Sequence, residues 1–224
     1  MNRAILSLAV AMFSISPLIS AIDLPSKAIA ETPKQTNSNS FPTQGASIQA
    51  FVPKGWKVES KVEGDLNADR RPDVVLRLID NSKGDHDRVL LVLQKQSNGQ
   101  WQRIGFAPKV LLCSTCGGML GSIQLKIENG VILVDQLRGS REAVNTLHRF
   151  WIDKTSKKVV LIGLDVDIRD RATGDEIRES RNFLSGQKIT EKYRANRQQD
   201  GIELVSRQRS TIPKTTSAIE TVDY

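Results

Sequence analysis

This chain is sparing with the residues that usually carry chemistry. Its 224 residues include 2 cysteines, 2 histidines and 3 tryptophans, and aromatics make up 5%. Two cysteines alone cannot supply the four ligands of a structural zinc site. No Gly-x-Ser-x-Gly elbow, His-Glu-x-x-His pair or phosphate-cradling loop occurs. No internal apolar run reaches the roughly 18–20 residues that a membrane-spanning helix needs. Dense Lys/Arg blocks interleaved with aromatics are also missing, which argues against a nucleic-acid partner.

The first thirty residues read as an export signal. Asn2-Arg3 opens it, residues 4–19 are apolar with scattered Ser, and Pro17 lies near the end of that run. Ala28-Ile29-Ala30 is an A-x-A site that places cleavage before Glu31; cleavage after Ala21 is the alternative, and an uncleaved anchor is the competing reading. No segment then spans a membrane after cleavage, and the expected destination is periplasmic or extracellular. Residues 31–46 are rich in Thr, Ser, Asn, Gln and Pro and read as a flexible linker. The formal charge is +7; removing residues 1–30 takes away Arg3, Lys27 and Asp23 and leaves +6. The basic residues are dispersed among acids, so the charge reads as a solvated surface, or as weak attraction to an anionic envelope polymer.

What is abundant is strand and turn signal. Residues 47–52 suggest a short helical turn before Pro53. Val74, Leu76 and Leu78 alternate, and residues 89–93 form a nearly continuous apolar run. Ser97-Asn98-Gly99, Glu128-Asn129-Gly130, Thr173-Gly174-Asp175 and Ser185-Gly186-Gln187 mark turns. A last strand is expected over 202–206. Helix is entertained at 140–146 and 191–199, though neither has an apolar stripe. The pattern predicts an all-β, single-domain antiparallel meander with minor helix, closed as a sandwich or a partly open barrel. The β domain is expected over 47–212, with an irregular tail over 213–224.

The sharpest motif is Asp65-Leu-Asn-Ala-Asp-Arg-Arg-Pro-Asp73, preceded by Gly64 and followed by Val74-Val75-Leu76. Oxygen-bearing side chains stand at positions 1, 3, 5 and 9 of this loop: Asp65, Asn67, Asp69 and Asp73. Such a set suits Ca²⁺, which takes six to eight oxygens. Three carboxylates on so short a loop repel one another unless a cation intervenes. The competing reading is an Asx-rich turn in which Asp and Asn cap their own backbone. Position 12 is Leu76, where an EF-hand requires a bidentate Glu. Asp165-Val166-Asp167-Ile168-Arg169-Asp170 is acidic too, but with different spacing, and reads as a strand end.

The glycine-preceded loop, Asn67 and the Pro-Asp-Val-Val exit resemble the FG-GAP/VCBS type of calcium loop. That resemblance implies ligands at Asp65, Asn67, Asp69 and Asp73, and a backbone carbonyl from Arg71. It also implies positive φ at position 6, usually Gly; this chain has Arg70, at a cost of roughly 1–2 kcal/mol. A broader likeness to secreted bacterial VCBS-like proteins runs from Phe51 to about Tyr193, through Phe51-Val-Pro-Lys-Gly-Trp56, Cys113-x-x-Cys116-Gly-Gly, Leu161-Ile-Gly163 and Asn182-Phe-Leu-Ser-Gly186.

Cys113 and Cys116 read as a disulfide bracing a glycine-rich loop in an oxidising compartment. A redox pair would need a helix start, and Gly117-Gly118-Met119-Leu120-Gly121 makes a poor one. His86 falls in an acidic turn and His148 inside a predicted strand. The expected function is therefore non-catalytic: an exported Ca²⁺-stabilised module that binds a polymer or protein. The alternative is an envelope hydrolase whose acid and base carboxylates come from separate strands.

Overall fold

The computed structural model describes residues 38–81, 86–196 and 201–224. The expected leader and residues 31–37 of the expected linker lie outside these. Thirteen strands follow in order: β1 (Gln44–Gly45), β2 (Trp56–Gly64), β3 (Asp73–Asp80), β4 (Arg88–Lys95), β5 (Trp101–Ala107), β6 (Ser122–Glu128), β7 (Val131–Gly139), β8 (Glu142–Ile152), β9 (Val159–Asp170), β10 (Glu176–Asn182), β11 (Gln187–Asn196), β12 (Gly201–Thr211) and β13 (Ser217–Ala218). They form an antiparallel sheet of five, β1-β5-β4-β3-β2, and one of eight, β12-β11-β10-β9-β8-β7-β6 with β13 paired to β9. The described residues form an all-β sandwich with no closed barrel among them.

The apolar runs of β3 and β4 are explained by burial on both faces. Side chains alternate across a strand. Val75, Leu90 and Val92 face the inter-sheet core with Leu125, Ile132, Val134, Phe150 and Leu161. Val74, Leu76, Leu78, Val89, Leu91 and Leu93 face the other way, under Phe41 and Phe51. That second layer comes from the N-terminal segment, where the expected turn is a 3-10 turn at Ile48–Phe51.

Several expectations are corrected. Residues 38–46, expected to be flexible, are packed: Phe41 is buried and β1 pairs with β5. One aromatic in a polar segment is enough to fasten it, because it covers an otherwise wet sheet face. The tail from 213 is not simply irregular. After β13, the 3-10 turn Ile219–Thr221 drives Ile219 into the inter-sheet core, with Val222 following. Of the segments read as possible helix, 140–146 and 191–199, residues 142–146 are strand after a bend at 140–141, and 191–196 are strand. There Val144 faces inward on β8 and Glu191–Arg178 pairing joins β11 to β10. The strand expected over 202–206 is β12, which extends to Thr211, and a further short strand, β13, follows it. Among the described residues, helix is limited to three short 3-10 turns, and no helix is long and apolar enough to cross a membrane.

Candidate functional site

The acidic loop is the connection between β2 and β3, at one end of the sandwich. Its start is set by packing: a Cβ on Gly64 would lie 2.6 Å from Cγ2 of Ile127, so glycine lets β2 approach β6. Leu66, at position 2, is buried in the inter-sheet core and anchors the loop. The four side-chain positions read from the sequence share this one turn.

Their hydrogen bonds are specific. Asp65 Oδ1 accepts the N–H groups of Asn67 and Asp69, both at 3.2 Å, and its Oδ2 accepts Arg70 N–H at 2.8 Å. Against some desolvation, these N–H groups hold the Asp65 carboxyl below its usual range. Asn67 Oδ1 accepts Asp69 N–H at 3.0 Å, and Asn67 Nδ2 donates to Asp69 Oδ2 at 2.8 Å. Asp69 also accepts Arg71 N–H at 2.8 Å and the Arg71 guanidinium at 2.6 Å. Asn67, and then Arg71, hold its pKa down.

Asp73 differs. It is fully buried, and its two oxygens accept Leu66 N–H and Lys95 N–H, each at 3.1 Å. Burial raises its pKa, and the charges of Asp69 and Asp65 push in the same direction. Arg70 adopts φ +65°, as does Ala68. Position 6 therefore does turn through the left-handed region that favours glycine, and the arginine bears that strain.

The donor chemistry fits a hard cation, since every candidate ligand is an oxygen. The arrangement is that of a self-capped turn. Among the described residues, no three His, Cys, Asp or Glu side chains converge in a metal-holding group. Arg71, expected to contribute only a carbonyl, also places its guanidinium on Asp69. That ion pair could not be foreseen from spacing, because the side-chain direction depends on the loop's two positive-φ residues.

A cleft of about 740 Å³ opens beside this loop. Asp65, Leu66, Asn67 and Ala68 form one wall, and Gln94 closes it from the end of β4. Asn129, Gly130 and Val131 come from the β6–β7 turn, and Trp151, Ile152, Lys154 and Lys157 from β8 and the turn after it. The sequence marks the loop side of the cleft as a site and Asn129-Gly130 only as a turn.

The other singled-out residues lie elsewhere. Cys113 and Cys116 are at bonding distance, with Cα atoms 5.0 Å apart. No helix follows them; Gly118 and Gly139 form an isolated bridge instead. His148 is buried, stacked on Phe150 at 6.1 Å between centroids. Burial pushes its pKa down to about 4, against a hydrogen bond to the backbone of Asp223. Asp165, Asp167 and Glu191 are half-buried and Glu176 is buried, on strands β9 to β11 among arginines. Asp165 pairs with Arg149, Glu176 with Arg178 and Glu191 with Arg207.

No known protein family matches this chain, and neither a curated protein nor a solved structure does so.

Proposed function

We propose that the protein is an exported, non-catalytic β-sandwich module that binds a polymer or protein partner, with Ca²⁺ clamping the β2–β3 loop. The observation that carries the ion is the concentration of Asp65, Asn67, Asp69 and Asp73 on one turn, with Asp73 buried among like charges. A cation coordinated there relieves that repulsion. Asp69 exchanges the Arg71 guanidinium for the ion, and the Arg71 carbonyl completes the set. The ion's part is structural: it fixes one wall of the adjoining cleft. The bonded cysteine pair agrees with an oxidising, extracytoplasmic compartment, where weak sites of about 10⁻⁴–10⁻³ M are filled.

Thermal melting tests this directly. At ~10 mM Ca²⁺ the melting temperature rises by about 3–8 °C over the chelated protein. Asp65→Ala and Asp69→Ala each abolish the response. A wild-type melt indifferent to both Ca²⁺ and chelator refutes the ion clamp.

A further inference from the structure

We propose that the cleft between the acidic loop and Trp151 binds an acidic oligosaccharide, a short run of uronic acid residues. This rests on the binding-module reading and names its ligand class. At about 740 Å³ the cleft falls within the range of small-molecule sites, roughly 300–1,000 Å³. It is built where four separate connections meet, from both sheets. The β6–β7 turn packs against the acidic loop closely enough that a Cβ on Gly130 would lie 3.6 Å from the Leu66 carbonyl.

The lining has the chemistry of a sugar site. Gln94 and Asn129 each bring an amide with donor and acceptor atoms to the lining, which suits hydroxyls, while the Asn67 amide is already bonded to Asp69 at both ends. Trp151 adds an aromatic plane for the C–H face of a pyranose. Its indole nitrogen is buried and has no hydrogen-bond partner among the described residues, so the ring's contribution to the cleft is its apolar surface. Lys154 and Lys157, both exposed, supply two ammonium groups for carboxylates. The only acid in the lining is Asp65, and its oxygens are turned onto the loop's own N–H groups.

Four described non-glycine residues have positive φ: Ala68, Arg70, Asn129 and Lys157. Asn129 and Lys157 take it in the hairpin turns after β6 and β8, which leaves Ala68 as the strained residue of the lining.

The test titrates the full chain with tetragalacturonic acid and with neutral cellotetraose, in chelator, by calorimetry and tryptophan emission. Trp56 and Trp101 pack on the far face of the five-stranded sheet, so a cleft signal must vanish in Trp151→Phe. The acidic sugar is expected to bind saturably and at least tenfold more tightly than the neutral one. Lys154→Ala with Lys157→Asn should weaken it tenfold or more without moving the melting temperature; Asn tolerates the positive φ at 157. Absence of saturable binding, equal binding of both sugars, or binding indifferent to the lysine pair would each overturn the proposal. Sugar binding in a chain whose melting ignores Ca²⁺ supports the cleft and removes the ion clamp. A Ca²⁺ response without sugar binding overturns the cleft and leaves the clamp standing.

Discussion

Strand β3 buries six of its eight residues, whereas β12 leaves ten of its eleven exposed. Both are paired antiparallel, β3 on both sides with β2 and β4, and β12 on one side only, with β11. The first is held by apolar layers on both faces, one of them supplied by the N-terminal segment. The outer strands β10 to β12 extend beyond the core clusters and are laced by charge. Glu179 pairs with Arg181 and Lys188, and Arg178 lies over the Tyr193 ring at 4.6 Å. These ion pairs are only partly exposed, and such surface pairs contribute modestly, so the outer strands depend on the core strands beside them. The two regions should differ in how strongly they resist opening.

The sharpest way to break this contrast is truncation in each region. Leu91→Ala should cost about 2–5 kcal/mol in denaturant unfolding. Val205→Ala, on the exposed strand, should stay within about 0.5 kcal/mol. Equal losses would show that the outer strands share the core after all.

Acid provides the next largest effect. His148 belongs to the core side of the molecule, and its folded pKa of about 4 lies below the ordinary 6.5. The unfolded chain therefore takes up the proton first. Stability from this group is intact above the ordinary value and is lost as pH falls towards 4, by about 3 kcal/mol. Unfolding titrations at neutral and acid pH measure the slope, and His148→Leu should flatten it. A slope unchanged by that substitution assigns it to other groups.

The smallest effect belongs to the outer strands. Glu179→Gln removes two ion pairs yet should cost no more than about 1 kcal/mol, less at high salt. A larger loss measured by chemical denaturation would mean that charge, not the neighbouring ladder, holds β10 to β12.

The same contrast explains what was legible in the sequence. The apolar run over 89–93 was readable as a strand, and Asn129-Gly130 as the hairpin between β6 and β7, with both residues at positive φ; the cover on both faces of β4 came only with the fold. Phe41, Ile219 and Val222 were missed as core residues because each stands in a polar neighbourhood with no periodic partner. The strand character of 140–146 and 191–196 was obscured because their order comes from cross-strand pairs, which local pattern does not display. At the loop, the clustering of its oxygen-bearing side chains on one turn and the left-handed turn at Arg70 were readable. The Arg71 guanidinium on Asp69 and the four-sided cleft were not, since both depend on segments distant in the chain meeting at one end of the sandwich.

Arg71 also decides how the loop is best tested. Its side chain competes for Asp69, while its carbonyl is independent of the side chain. Arg71→Ala should therefore tighten Ca²⁺ binding by roughly a few-fold, whereas Asp69→Ala should remove it. Calorimetric titration of Ca²⁺ into the chelator-stripped full chain is the most direct measurement. The account predicts one ion per chain, tighter in Arg71→Ala and absent in Asp69→Ala. No heat at millimolar Ca²⁺, or binding that survives Asp69→Ala, would contradict it.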